Sequence, residues 1–537
     1  LGHTPVDAVE ENRVEATCTE NGKYDEVIYC ANCGTQMSRT TITINVLGHS
    51  ESDWIVDKSP TKTENGSKHI ECTVCGVTIK TEVIGKTGSE GLAFALNYDA
   101  QSYSVTGIGT CTDTDIVIPE TYEGLPVTSI DFYAFGGCTS LASVVIPDSV
   151  TSIGFYAFYN CTSLTSVEIG DSVTSIDEYA FSGCTSLTSV VIPDLVTSIG
   201  FYAFYNCTSL ASVEIGDSVT SIGGYAFFDC ISLIEVINKS SFNIVAGSSN
   251  YGCVGYYAKY IKTGESQSAI KNVGDYIFYD DGTDIYLVKY IGNDSEIILP
   301  EYDGGKEYGI WKYAFSGCKS LTSVEIGDSV TSIGNSAFYG CSSLASVTIG
   351  NSVTSIGEHT FYYCTSLSSV EMGDSVTSIG EGAFYNCTSL ASVEIPDSVT
   401  SIGGYAFYGC TSLTSVVIPD LVTSINDHGF YNCTSLISVV IPDSVTSIDG
   451  YAFYGCTSLT NIVIPDSVTS IGGGAFELCT SLTSVVIDDS VTSIGEFAFY
   501  SCSSLTSVVI GDSVTSIGYG AFSGCPSLTS IVIPDSV

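Results

Sequence analysis

The sequence predicts a solenoid of 23-residue coils, mainly parallel β-structure with short helical turns, preceded by two small cysteine-knuckle β modules. Three observations predict it. Cysteines recur every 23 residues from Cys138 to Cys230 and again from Cys318 to Cys525, which makes fifteen units. Within a unit, apolar residues alternate with Ser, Thr or Glu up to a Pro or Gly. Near the N-terminus a Cys-x-x-Cys-Gly knuckle occurs twice. At such a period each unit buries its apolar face only against its neighbours. The 537 residues therefore form one quasi-linear array with a short appendage, not several packed domains.

The appendage comes first, as modules over 1–46 and 47–90. Leu1-Gly2-His3 recurs as Leu47-Gly48-His49, Thr19-Glu20-Asn21-Gly22 as Thr63-Glu64-Asn65-Gly66, and Cys30-x-x-Cys33 as Cys72-x-x-Cys75. A Cys-x-x-Cys knuckle brings two thiolates to the bite that tetrahedral zinc accepts. Cys18 and His49 are expected to complete a structural Cys3His set with Cys30 and Cys33, though a disulfide or free thiols also fit the spacing. In the second module Cys72 and Cys75 are weaker candidates. Lys62 stands where Cys18 aligns, residues 85–88 replace a following Gly-His, and His69 is the only further local ligand. These modules resemble small cysteine-knuckle repeats of secreted bacterial repeat proteins.

Residues 91–126 are expected to cap the array, with Tyr103 and Val105 on an alternating strand before Ile116-Val117-Ile118-Pro119. Repeats fill 127–232 and 311–537. In the unit from Leu164 to Cys184, Leu164, Val167 and Ile169 point inward from a strand and Glu168 points to water. Gly170 ends that strand and Asp171-Ser172 makes a turn. Val173 and Ile176 start a second short extended segment, Ala180-Phe181 returns to the core in a short helical turn, and Cys184 closes the coil. The repeat cysteines are expected to form a ladder of buried thiols and the fifteen phenylalanines from Phe135 to Phe522 a stacked spine. Residues 233–310 break the pattern. Tyr276-Ile277-Phe278, Ile285-Tyr286-Leu287-Val288 and Ile297-Ile298-Leu299 read as strands, continuous with the solenoid as degenerate coils plus a hairpin. A cluster of Tyr251, Tyr256 and Tyr257 offers a weaker ligand platform there.

The repeat L-x-x-V-x-I-P-D-S-V-T-S-I-G-x-x-A-F-x-x-C resembles the BspA-like (Treponema pallidum-type) leucine-rich repeat, over roughly residues 92 to 537. The resemblance implies a secreted or surface-anchored protein of the adhesin or binding-scaffold kind, not an enzyme. Its partner would be a host or extracellular-matrix protein. A structural spacer, or the non-catalytic arm of a larger secreted enzyme, is the alternative. The chain opens on Leu1 and stops within a unit at Val537, so it is expected to be part of a longer protein whose export signal and anchor lie elsewhere.

Charge and chemistry narrow the function further. The net charge of -43 leaves no positive surface for phosphates, which argues against nucleic acid, and no apolar run is long enough for membrane insertion. Thirteen of the 59 acidic residues occupy one repeated turn position, from Asp148 to Asp535, so the charge says little about a cationic partner. That column is expected to serve turn hydrogen bonding, with calcium bridging as the alternative. Five histidines, of which only His359 and His428 lie in the array, give no support to acid–base catalysis, and no nucleophile elbow or phosphate loop occurs. On the strand face Val417, Val440, Val463, Val486, Val509 and Val532 replace the mixed Glu and Val of earlier coils without a break. They form a candidate docking strip, or else drift among recent duplicates. The tyrosine column that includes Tyr159, Tyr339, Tyr408 and Tyr500 reads as packing at coil edges more than as a sugar-binding stripe.

Overall fold

The structure is a computed structural model that describes residues 3–61, 66–84, 87–264 and 266–537. Leu1-Gly2, Lys62 to Asn65 and Gly85-Lys86, each part of a motif above, lie outside the described residues. The chain forms two compact units. One is Leu1–Thr128 with Val144–Val150, and the other is Ser129–Ser143 with Thr151–Val537.

Within the first unit each cysteine module is an antiparallel meander. Strands β1 (Val9–Val14), β2 (Gly22–Tyr29) and β3 (Gln36–Ile44) make one sheet; β4 (Ile55–Lys58), β5 (Gly66–Glu71) and β6 (Thr78–Ile84) make the other. β-Branched runs such as Thr40-Thr41-Ile42-Thr43-Ile44 suit a pleated strand. The knuckle glycines Gly34 and Gly76 both sit at φ 70°, where a side chain would be strained, and so allow the reversal from β2 to β3 and from β5 to β6. Beyond the modules, Ala93–Leu96 pairs antiparallel with Tyr103–Gly107 as the cap.

The second unit is the solenoid. Most regular coils carry a strand of up to four residues and a second, usually of two, paired in parallel with the same residues one coil away; at 461–464 and 530–533 the first is not formed and at Ser392 it shrinks to a single bridge. Ser152, Ser175, Ser198 and Ser221 stand in register, as do Val190 and Val213. Threonine hydroxyls reinforce this: Thr174 Oγ1 donates to the Thr151 carbonyl at 3.0 Å, and Thr197 Oγ1 to that of Thr174 at 3.2 Å. Leu164, Val173, Ile176, Ala180, Phe181 and Cys184 are all buried, as the unit predicts. Phenylalanine rings stack from Phe135 to Phe227 and from Phe315 to Phe522 with centroids 5.0 Å apart in the first pair and 5.3 Å in the last.

The coil closes differently from the short helical turn the sequence suggests. Backbone amides there alternate between two kinds of acceptor. Tyr179, Phe181 and Gly183 donate to Phe201, Ala203 and Tyr205 of the next coil at 2.7–3.0 Å. Ala180, Ser182 and Cys184 donate three residues back, to Asp177, Tyr179 and Phe181. A helix would need every amide for bonds within its own turn, so stacking wins half of them and leaves a chain of tight turns. The only helical segment among the described residues is the 3-10 turn Tyr251–Cys253.

These turns hold non-glycine residues in the left-handed region. One column contains Asn160, Gly183, Asn206, Gly409, Leu478 and Ser501. An L-residue there costs about 1–2 kcal/mol, less for Asn. Ser501→Gly is therefore expected to raise the stability of the array by about 0.5–1 kcal/mol, and Gly409→Ala to lower it by about 1–2 kcal/mol. The added Cβ at position 409 would also press on Asn386 Oδ1. Urea denaturation of the two variants checks this, and equal shifts of the same sign would refute it.

In the interruption, Glu235–Asn238 still pairs in parallel with Ser212–Ile215 and with Tyr260–Thr263. The chain then reverses. Ile270–Val273, Tyr276–Asp280 and Ile285–Tyr290 are antiparallel to one another, and Ile285–Tyr290 pairs in parallel with Tyr308–Ile310 to restart the array. The hairpin is buried on both faces. Ile277, Tyr279 and Val288 pack with Ala211 and Ile234, whereas Phe278, Leu287 and Tyr290 belong to the core that runs on to Ala521.

Candidate functional site

Two groups of thiols and imidazoles form in the module region. Cys18, His49, Cys72 and Cys75 place their ligand atoms within 4.8 Å of one another, and so do His3, Cys30 and Cys33. In the first group Cys18 Sγ lies 3.6 Å from Cys72 Sγ, and Cys75 Sγ lies 3.5 Å from His49 Nδ1. In the second, Cys33 Sγ is 3.3 Å from His3 Nδ1 and 3.3 Å from Thr35 Oγ1. The structure thus divides the set expected within module one. Cys30 and Cys33 are joined by His3; Cys18 and His49 go to the knuckle of the second module. His69, the local extra, instead contacts Asp57 at 2.7 Å.

The division follows from how each knuckle is built. The Gly34 amide donates to the Cys30 carbonyl at 2.9 Å and the Gly76 amide to that of Cys72 at 2.8 Å, so the two turns are equivalent. The residue after each histidine is bonded beside the knuckle, with Ala31 N–H on the Thr4 carbonyl at 2.7 Å and Thr73 N–H on the Ser50 carbonyl at 2.9 Å. His3 and His49 are therefore opening residues of the modules they precede, and His49 does not close the first. The repeated Leu-Gly-His carried that signal. Cys18 joins the second group because the linker docks on its turn. Leu47 N–H donates to the Thr17 carbonyl at 3.0 Å and Val46 N–H to Asn21 Oδ1 at 2.9 Å. No local sequence feature announces that contact.

The thiols differ in acidity. His3 and the Asn32 amide hold Cys30 down to about 6. Burial opposes ionisation of Cys72, yet the Val74 amide, His49 and further amides outweigh it and bring it to about 5. Cys18 is pushed up to about 12 by burial and by the neighbouring thiols of Cys75 and Cys72. Cys30 and Cys72 are thus held toward the thiolate, the form that binds metal.

In the solenoid the repeat cysteines are free and donate hydrogen bonds. Cys161 Sγ reaches the Phe135 carbonyl at 3.1 Å, Cys184 that of Phe158 at 3.2 Å, and the pattern runs on to Cys525 and Phe499. Each thiol thereby pairs its own S–H inside the core, as a second donor to a carbonyl that already accepts the amide three residues on, as Phe135 does from Cys138 N–H at 3.0 Å. Burial pushes the Cys161 thiol up to about 12 and raises Cys184 as well, which keeps both protonated donors. His359 and His428 stand in the left-handed column otherwise filled largely by tyrosine. The His428 ring stacks on Tyr405 at 4.6 Å. The second tyrosine column stacks too, with Tyr385, Tyr408, Tyr431 and Tyr454 spaced 4.3–4.6 Å. Tyr251 packs on Phe242, while Tyr256 and Tyr257 meet edge to face at 4.8 Å and Tyr257 donates to Asp229, so the three do not share one platform. In the aspartate column, carboxylates accept the amide of the equivalent residue one coil on, as Asp489 does from Asp512 at 2.7 Å and Asp328 from Asn351 at 2.7 Å. The valines are exposed, from 53% at Val509 to 80% at Val532, and Val417 pairs with Val440 and Val486 with Val509 in parallel register.

A parallel solenoid of short strands, with buried Leu, Val, Ile, Phe and Cys recurring through most coils, defines a leucine-rich-repeat protein, a class that generally mediates protein–protein interactions. The chain belongs to the BspA type leucine rich repeat family, whose profile matches residues 128–257, 309–437 and 423–537. No catalytic domain is indicated by that match. Among solved structures it is similar to a leucine-rich repeat protein from Bacteroides ovatus ATCC 8483, with 26% identity over 83% of this chain and 94% of that one and a TM-score of 0.40. It is also similar to the leucine rich repeat protein of T. pallidum, with 30% identity over 34% and 86% and a TM-score of 0.28. A third is a leucine rich cell surface protein from Faecalibacterium prausnitzii A2-165, with 27% identity over 66% and 94% and a TM-score of 0.29. No curated protein matches the chain. Among the described residues no helix is long and apolar enough to cross a membrane.

Proposed function

We propose that the chain is an extracellular or cell-surface binding scaffold, adhesin-like in role, that makes multivalent contacts with a host or extracellular-matrix protein through the strand face of its C-terminal coils. The valine strip carries the reading. Six residues in one column, each more than half exposed, present an apolar row on a surface rich in Ser, Thr and Asp, where Leu421 and Ile437 are exposed as well. A row that repeats once per coil suits a partner that lays an extended apolar segment along it, and repetition allows several weak contacts to add.

The test replaces Val440, Val463 and Val486 together by Glu and measures binding to a panel of immobilised extracellular-matrix proteins. Burying a valine is worth about 1.5 kcal/mol, so losing three central contacts is expected to weaken capture by at least roughly 100-fold. The side chains are exposed, so thermal unfolding should stay close to that of the parent. Capture by the parent that the triple variant matches would remove the strip from the account. Absence of binding by both proteins would favour the spacer reading.

A further inference from the structure

We propose that Cys18, His49, Cys72 and Cys75 hold one structural zinc ion, and that this ion fastens the first cysteine module to the second. The four ligands come from three separate segments: the turn between β1 and β2, the linker between modules, and the knuckle between β5 and β6. Zinc bonds of about 2.3 Å to sulfur and about 2.0 Å to nitrogen in a tetrahedron set S···S edges near 3.8 Å and S···N edges near 3.5 Å. The observed 3.6 Å and 3.5 Å fall on those edges. Three thiolates and an imidazole select a soft, tetrahedral ion over calcium or magnesium. With four protein ligands the shell is closed, which is the pattern of a structural and not a catalytic site.

The interior of the modules points the same way. Among the described residues from 3 to 84, the buried hydrophobic side chains are Ala16, Cys18, Val27, Cys30 and Cys72. Three of these five are cysteines of the two clusters, and an all-apolar core of Ala16 and Val27 is too small to hold six strands. Chains of this size commonly need a metal or disulfide to fold. A metal at Cys18 and Cys72 supplies the missing centre and fixes the linker whose Leu47 amide already docks on Thr17. The first knuckle has only His3, Cys30 and Cys33 in reach among the described residues, so it is the weaker site. The first module thus lends its first-loop cysteine, Cys18, to the second, whose sequence has Lys62 at the aligned position.

The experiment measures zinc in the full chain by plasma mass spectrometry after gel filtration with a weak chelator and a reductant. The parent is expected to retain an equivalent of zinc that Cys18→Ser removes as completely as Cys72→Ser does, whereas Cys30→Ser leaves it in place. Far-UV circular dichroism of the solenoid should be unchanged in all three. Cobalt substituted into the parent should give the ligand-field bands of a tetrahedral thiolate site, absent from Cys18→Ser. Chelation should open the segment 45–51 to protease. A Cys18–Cys72 disulfide in metal-free protein prepared without reductant would overturn the proposal. Zinc that depends on Cys30 together with Cys18, or no retained zinc at all, would overturn it equally.

Discussion

Phe407→Ala is expected to destabilise the array by about 3–5 kcal/mol, the range for deleting a large buried aromatic ring. The ring is fully buried and stacks on Phe384 and Phe430, 5.3 Å away on either side and within 6° of parallel. The loss therefore combines buried area, a cavity and two ring contacts. In a one-dimensional stack this weakens two neighbouring interfaces at once, so the coils beyond Phe430 should unfold at lower urea than those before Phe384. The repeat cysteines provide the probe. Cys410 is fully buried, and burial pushes its thiol up, so it is inert in the native state. Thiol labelling followed by mass spectrometry across a urea series should show Cys410, Cys433 and Cys456 reacting before Cys161 and Cys184. Uniform labelling of all coils at one urea concentration would show that the array couples over longer distances than nearest neighbours.

Glu235→Ala should cost about 3 kcal/mol, the low end of what breaking a buried ion pair costs, because Lys262 keeps partial access to water. Glu235 occupies the register position of Ser212 in the preceding coil, yet its carboxylate is fully buried. It lies 2.5 Å from Lys262 Nζ and accepts hydrogen bonds from Ser268 Oγ at 2.7 Å and Ala269 N–H at 3.2 Å. Those donors lie just ahead of Ile270–Val273, the first strand of the antiparallel insertion. The glutamate thus ties the last regular strand of the first array to the point where the chain reverses. Truncation leaves the buried Ala269 amide without its acceptor. Glu235→Gln retains an acceptor for Ser268 and Ala269 and should lose about half as much. Hydrogen exchange over residues 266–290 should quicken in the Ala variant and much less in the Gln variant. An Ala variant within about 0.5 kcal/mol of the parent would mean that the hydrophobic contacts of Ile277, Tyr279 and Val288 hold the hairpin alone.

The two predictions sit at opposite ends of what the residues announce. Phe407 is legible because its surroundings repeat: the same Phe, Cys, Leu and Ile recur 23 residues away on either side, so its neighbours in space can be named from the sequence. Glu235 is not legible. It stands in Leu233-Ile234-Glu235-Val236-Ile237, where alternation alone reads it as a solvent-facing residue. Its burial depends on Lys262 and Ser268, which belong to segments with no repeat register. The closing turn of each coil is an intermediate case. Ala180-Phe181 lies in the core, as the pattern of the unit predicts, but competition between turn and inter-coil hydrogen bonds replaces a helical turn by alternating tight turns.

By itself the sequence determined the period, the two strands per coil, the phenylalanine spine, the buried thiols and the outward valine column. Each of these depends only on a unit meeting a copy of itself, and a nearest-neighbour contact is written wherever the unit is written. Tertiary structure alone decided which cysteines and histidines meet. It gave Cys18 and His49 to the knuckle of Cys72 and Cys75 and left His3 with Cys30 and Cys33. It also set the hairpin of Tyr276–Asp280 and Ile285–Tyr290 between two cores. Both outcomes turn on contacts between segments that share no register, such as the Leu47 amide on the Thr17 carbonyl. Such contacts form because a backbone donor must find an acceptor when the linker packs down, and spacing along the chain does not specify which one it will be.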